Sequence, residues 1–216
     1  MPVIFQPERF LLEEQIKKYS RYIKGVVLDV GTGKIKRYTS LFKCDKYITL
    51  DINKEHKPDI VASADHTPLN NNSVDSILCT QVLGDIKNPS EVIKEFYRVL
   101  KPGGIVLLTE SLLNELHDEP NDFWRFTKFG FKYLFEKSGF KVIDIDQRGG
   151  FFTSRAQLKI RYFIDRLNLY NKKWSWILRP ILKFYGKFML FLDKIDKSKA
   201  NRKHALGWCV LAKKKQ

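Results

Sequence analysis

Chemistry in this chain concentrates at a few short stretches. Asp29-Val30-Gly31-Thr32-Gly33 continues the apolar run Val26-Val27-Leu28, and Asp51 follows a second run, Tyr47-Ile48-Thr49-Leu50. Glycines at 31 and 33 let the backbone turn tightly and come close to a ligand. A carboxylate at a strand tip, Asp51, can accept two hydroxyl hydrogen bonds from a ribose. Asp29, beside the turn, can orient an α-amino group directly or through water. A third stretch, residues 110–127 (ESLLNELHDEPNDFWRFT), gathers His117, Asp118, Glu119, Asp122, Trp124 and Arg125. His117 is its one imidazole, a group that titrates near neutrality and suits a general base; a plain surface histidine is the alternative. Asp122 and Arg125 are candidates for an ion pair that fixes the loop. Trp124 is a candidate for loop packing or for a wall of an acceptor pocket.

These residues need strands that end together. The pattern predicts a helix over 7–23, a strand over 26–30, a helical piece over 34–42, and strands at 47–50, 59–62 and 74–80. A helix follows over 89–100, with Val92, Ile93, Phe96, Val99 and Leu100 as its apolar stripe. Lys101-Pro102-Gly103-Gly104 is read as the turn that stops it. A fifth strand at 105–108 leaves Glu110 just past its end. A helix over 127–138, a strand over 141–146, helices over 154–170 and 174–195 and a last strand over 206–212 complete the reading. Alternating strands and helices imply an α/β sheet, mostly parallel, with helices on both faces. Ligands then bind beyond the carboxyl ends of the strands, where the strand order reverses.

Two cofactor classes compete for such a turn. A dinucleotide fingerprint needs a third glycine where Lys36 stands, which speaks against NAD and FAD. The acid before the first glycine, Asp29, points instead to a sulfonium nucleoside.

The 216 residues include 39 Lys+Arg and 24 Asp+Glu, a formal charge of +15, and 44% are hydrophobic. The apolar content excludes global disorder. Three widely spaced cysteines, Cys44, Cys79 and Cys209, form neither a disulfide framework nor a cysteine-rich zinc site. No metal site is expected, and reduced cytosolic thiols are the default. No signal peptide is visible. The charge is unevenly placed: residues 1–150 carry 22 Lys+Arg and 21 Asp+Glu, while residues 151–216 carry 17 and 3.

Asp29-Val30-Gly31-Thr32-Gly33, Asp51, Ala64-Asp65, Val74-Asp75-Ser76-Ile77 and Arg98 through Gly104 (RVLKPGG) recur in the order and spacing of one family. Over roughly 25–147 the chain resembles the class I S-adenosylmethionine-dependent methyltransferases. The resemblance implies a Rossmann-like, mostly parallel seven-stranded sheet with an antiparallel last strand, and S-adenosyl-L-methionine as cofactor. It assigns Asp29, Gly31 and Gly33 to the amino acid end of the cofactor and Asp51 to the ribose. Ile52 would pack on the adenine, Asp65 would accept from its amino group with His66 beside it, and Thr80 and Gln81 would line the methionine side. Glu110, Trp124 and Arg125 are the candidates for substrate binding, with His117 as base. The chain departs from the family at Ile35, where a third glycine is usual. It departs again at Leu83-Gly84-Asp85, where many relatives have Leu-Glu-His. Residues 120–127 and 131–140 look like a subgroup associated with bacterial polysaccharide or lipid-linked glycan assembly.

The reading is a single methyltransferase domain, core 1–150 and 204–213, with a basic helical insertion over 154–203. From 174 to 195 (WSWILRPILKFYGKFMLFLDKI), a helical projection gathers Ile177, Ile181, Phe184, Tyr185, Phe188, Phe191, Leu192 and Ile195 on one face. Arg179, Lys183, Lys187 and Lys194 lie opposite, and Pro180 breaks the helix or begins its second part. Such a segment suits an anionic membrane surface, its own core or a homodimer; RNA is less favoured. The expected protein is a cytoplasmic, peripherally membrane-associated enzyme acting on a hydroxyl of a small-molecule, glycan or lipid-linked acceptor. The rivals are an RNA methyltransferase using the basic segment and a non-catalytic membrane-associated scaffold.

Overall fold

A computed structural model describes residues 4–216. The short apolar runs form strands: β1 (Val26–Val30), β2 (Lys46–Asp51), β3 (Ile60–Val61) and β4 (Val74–Thr80). Helix α1 (Pro7–Tyr19) precedes them. Beyond β4 come α2 (Pro89–Val99), β5 (Leu100–Ser111), α3 (Lys128–Lys137), β6 (Phe140–Arg148), α4 (Phe151–Arg166), α5 (Leu178–Ile195), the short α6 (Lys199–Arg202) and β7 (Gly207–Lys214). Seven strands join in one sheet, ordered β3-β2-β1-β4-β5-β7-β6. It is mixed and mostly parallel, with the last strand antiparallel. Val30 pairs with Leu50 on one side and Cys79 on the other, so β1, β2 and β4 end within a residue of one another, and β5 runs past Thr109, the partner of Thr80, to Ser111. The chain runs outward from β1 through β2 to β3 and then restarts at β4 on the other flank of β1. That reversal is the crevice where such sheets take ligands.

The core of the sheet is set by side-chain periodicity. Val27, Leu28, Ile77, Leu78, Val106 and Leu107 are fully buried, as strands covered on both faces require. Pro89 opens α2, whose Val92, Ile93, Phe96 and Val99 are buried. Thr127 accepts from Gly130 N at the start of α3, and Gly139, at φ 93°, closes it.

Two expectations need correction. No α-helix occupies 34–42: the described chain makes turns and a single 3-10 turn, Thr39–Leu41. Gly33 and Lys36 both take left-handed φ, and Ile35 is exposed, so no apolar stripe repays helix nucleation. Second, Lys101–Gly104 does not precede the fifth strand but lies within it. Val74 pairs with Leu100 and Ser76 with Ile105, so these residues bulge out of β5, with Gly103 at φ 80°. Glu110 consequently lies inside β5. The 174–195 segment divides, as the reading of Pro180 implied, into a 3-10 stretch, Lys173–Ile177, and α5, which Pro180 enters in its first turn.

The chain separates into two compact units. One holds Ile16–Ser111, Leu116–Asp146 and Trp208–Gln216; the other holds the described residues through Gln15, with Leu112–Glu115 and Gln147–Gly207. In the second unit Ile4, Ile160, Ile164 and Leu169 make a buried cluster. There Asp193 reaches back from α5 to accept from the backbone N–H groups of Gly150, Phe152 and Thr153, capping α4. A buried ion pair, Arg148 Nη1 to Glu8 Oε1 at 3.2 Å, lies in the same unit.

Candidate active site

The proposed cofactor residues all lie in the first unit. Gly31 and Gly33 sit past the tip of β1 at φ 68° and 64°, a conformation that side chains other than glycine rarely adopt. A Cβ on Gly31 would lie 2.2 Å from Val82 Cγ2, so the β1 turn and the segment after β4 meet there. A Cβ on Gly33 would meet nothing within 4 Å. The first glycine serves packing, and the second fronts open space.

Asp51 organises that turn. Its Oδ2 accepts from Gly33 N at 3.0 Å and its Oδ1 from Asn53 N at 2.8 Å. His56 Nδ1 also lies 3.0 Å from Oδ2. Burial alone would raise this carboxyl, but the hydrogen bonds from His56, Asn53 and Gly33 outweigh it and hold the group below its ordinary range. Asp51 is therefore an anion at neutral pH. Asp29 is buried and accepts from Tyr47 Oη at 2.9 Å; burial pushes its carboxyl up against that hydrogen bond. Ile52 is 74% exposed directly beside Asp51, an apolar side chain left open next to a polar strand tip. Asp65 is half-buried and His66 exposed in a turn closed by His66 N to Ser63 O. Thr80 ends β4. Gln81 follows at φ 57°, its N bonded to Thr109 O at 2.9 Å and its Oε1 accepting from Ser111 Oγ at 2.5 Å.

A nucleoside cofactor with an amino acid end fits these groups. Two carboxylates at adjacent strand tips suit hydroxyls and an amine, the space at Gly33 admits a ligand, and Ile52 offers an apolar plate. The missing helix over 34–42 matters here as well. A pyrophosphate cofactor is normally held by a helix N-terminus directly behind the glycine turn. No such helix follows this turn among the described residues, whereas two carboxylates front it. The local field therefore favours hydroxyls and cations over phosphate.

The segment after β5 forms a second group. His117 Nδ1 lies 3.2 Å from Asp122 Oδ2, and His117 Nε2 lies 3.5 Å from Asp85 Oδ1. The Asp122 carboxylate also accepts from His117 N at 3.1 Å and pairs with the Arg125 guanidinium, Nη2 to Oδ2 at 2.7 Å. Arg125 holds the Asp122 carboxyl down to about 2. Burial pushes Asp85 up, opposed by His117. Arg125 is thus spent on the loop itself. Trp124 is 45% exposed and donates from Nε1 to Lys87 O at 3.2 Å.

Glu110, expected at a loop start, is instead buried in β5. Its Oε2 accepts from Gly84 N at 3.0 Å and its Oε1 from Ser111 N at 2.9 Å. Gly84 O in turn accepts from Phe123 N and Trp124 N, both at 3.0 Å. Glu110 therefore fixes a backbone junction on which the His117 loop rests. Asp85, His117 and Asp118 place one ligand atom each within 4.8 Å of one another, although the sequence suggested no metal site. The same arrangement serves as the polar surround of an imidazole.

Sequence reading missed Tyr47 and His56 as partners of the site, and it gave Glu110 to the substrate where the structure sets it on the backbone at Gly84. Tyr47 and Thr49 lie on the same face of β2, and Thr49 is the strand partner of Asp29; that alternation was the one available signal for Tyr47. Nothing in the spacing marks His56.

Residues 28–108 match the family described as a methyltransferase domain. The chain is 27% identical over 179 residues to the uncharacterized protein MJ1123 of Methanocaldococcus jannaschii, covering 76% of this chain and 83% of that one. Its fold is similar to that of a SAM dependent methyltransferase from Archaeoglobus fulgidus, with a TM-score of 0.61 at 14% identity over 95% of this chain and 94% of the other. It is also similar to phosphoethanolamine N-methyltransferase 2 of Haemonchus contortus, solved in complex with S-adenosyl-L-methionine, at a TM-score of 0.55 and 17% identity over 97% and 56%. Residues 28–108 carry the matched domain, and the chain has the class I methyltransferase fold. The matched domain and the shared fold support a methyltransferase that uses S-adenosylmethionine.

Proposed function

We propose that this enzyme methylates a hydroxyl oxygen on a small-molecule, glycan or lipid-linked acceptor, with His117 as the general base, at a membrane surface. The observation that carries the reading is the imidazole held by Asp122 at Nδ1 and facing Asp85 at Nε2. A hydroxyl has a high pKa and must lose its proton as it attacks, so its methylation calls for a base. An amine needs only to arrive neutral. The cofactor supplies a methyl group already activated on a sulfonium. The protein's part is to align the acceptor, exclude water and take one proton. With Asp122 accepting at Nδ1, the free electron pair lies on Nε2, the nitrogen that faces Asp85. Arg125 fixes Asp122 and keeps it ionised. Asp29, Gly31, Gly33, Asp51, Ile52, Asp65, His66, Thr80 and Gln81 are assigned to the cofactor, and Trp124 to the wall of the acceptor site. The glycan or lipid-linked class rests on the resemblance of residues 120–140 alone, and the cytoplasmic, peripheral location rests on the basic segment.

The test is a screen of hydroxylated acceptors by release of S-adenosylhomocysteine. His117→Gln should lower kcat by about 10²–10⁴-fold while leaving S-adenosylhomocysteine affinity unchanged. Asp122→Asn should fall between and shift the pH–rate profile. Turnover confined to amines, at the wild-type rate in His117→Gln, would overturn the reading.

A further inference from the structure

Helix α5 presents a surface that its own unit does not use. Its inward side is settled by packing: Leu178, Leu182 and Tyr185 lie against the cluster of Ile4, Ile160, Ile164 and Leu169. Gly186 presses so closely on Phe5 that a Cβ there would stand 2.7 Å from Phe5 Cε1. These contacts fix the rotation of the helix. Turned outward are Ile177, Ile181, Phe184, Phe188, Phe191 and Ile195, between 46% and 74% exposed. Alternating steps of four and three residues set them in one straight stripe, about 27 Å long at helical rise. The broad apolar face expected from the sequence is thus split, with Tyr185 turned in and this stripe turned out. Lys183, Lys187 and Lys194 lie about 100° round the helix from the stripe and make no ion pair among the described residues.

The charge decides what covers the stripe. Residues 151–216 hold three acids against 17 Lys+Arg, and all three acids are engaged. Asp193 caps α4, Asp165 lies 3.6 Å from Arg161, and Asp196 accepts from Ser198 N. A second copy of α5 would bring lysines against lysines with no free acid to answer them. RNA would find its aromatics in a dry stripe instead of a polar groove. An anionic lipid leaflet answers both features: the stripe enters the acyl boundary and the lysines reach the headgroups. No helix among the described residues is long and apolar enough to cross a membrane.

We propose that α5 lies flat on an anionic lipid surface, with the stripe from Ile177 to Ile195 inserted and Lys183, Lys187 and Lys194 at the headgroups. The inference gives residues and lipid charge to the membrane part of the proposed function, on which it rests. Its test is flotation of the full chain with phosphatidylcholine vesicles, with and without roughly one third phosphatidylglycerol. Binding should require the anionic lipid and fall steeply as salt rises to about 0.5 M. Phe184→Ser with Phe188→Ser, both at exposed positions, should cut partitioning by roughly tenfold or more. Lys183→Glu with Lys187→Glu should abolish the preference for anionic vesicles. The proposal is overturned by absence of binding at low salt, by equal binding of the Phe184/Phe188 variant, or by a wild-type dimer in light scattering that this variant dissociates. S-adenosylhomocysteine titration of every variant keeps the two questions apart: flotation failing while titration succeeds removes the membrane surface and leaves the methyltransferase standing.

Discussion

The two glycines past β1 give opposite predictions for the same substitution. Alanine at either must adopt a left-handed φ, which costs roughly 1–2 kcal/mol. At Gly31 the new methyl would also lie 2.2 Å from Val82 Cγ2. Overpacking of that kind adds about 1–3 kcal/mol, so Gly31→Ala should lose about 2–5 kcal/mol of stability. Val82→Ala in the same chain should return the overpacking part, because it removes the atoms that collide. At Gly33 nothing lies within 4 Å, so Gly33→Ala should lose only the backbone share. Its methyl would fill the space assigned to the cofactor. S-adenosylhomocysteine affinity should therefore fall by at least about tenfold, or ~1.4 kcal/mol, in a protein that still melts cooperatively. Denaturant unfolding and isothermal titration on wild type and the three variants measure both quantities. The reasoning fails if Gly33→Ala binds S-adenosylhomocysteine as wild type does, for then the open space at Gly33 is solvent and not a cradle.

Asp51→Ala should weaken S-adenosylhomocysteine by about 1–3 kcal/mol as hydrogen bonds to a charged acceptor are lost; equilibrium titration checks this, and unchanged affinity would detach Asp51 from the cofactor. In acid, Asp122 has its carboxyl held at about 2 against an ordinary 3.8. Its folded pKa is the lower one, so its stabilisation is fully present above about pH 4 and disappears as pH falls toward 2. Because Arg125 is a quarter exposed, that contribution is on the order of 1–2 kcal/mol. Asp122→Asn should flatten the dependence of Tm on pH in that window, and an unchanged slope would refute the assignment.

β1 and β2 were legible because each is a short apolar run with an acid or glycine at its end. Asp29 and Asp51 stand at the tips of β1 and β2 where the pattern placed them. The helix read over 34–42 was not there, because length and polarity suggested one while Ile35, Tyr38 and Thr39 supply no shared buried face. Local spacing could not show Lys101–Gly104 bulging within β5, since a bulge is defined by the partner strand. The same limit hid Tyr47, His56 and the backbone role of Glu110. Each acts through a neighbour supplied by register or by a turn, and sequence distance does not encode register. The division into two units was also out of reach, because it assigns parts of α1, β6 and β7 to different sides of one continuous pattern.

Gly84 shows how a departure from a family pattern can be read as packing. By the resemblance of the sequence to the family, a glutamate, in Leu-Glu-His, would stand there. In this chain a Cβ at that position would lie 3.1 Å from Trp124 O, and Gly84 O takes two N–H groups from the loop that carries His117. A long side chain would push that loop away. Backbone contact has replaced side-chain chemistry at this point, and the carboxylate nearby comes from β5 instead, as Glu110 on Gly84 N. The acid is then structural and buried, while the imidazole of His117, in the segment after β5, is half-exposed.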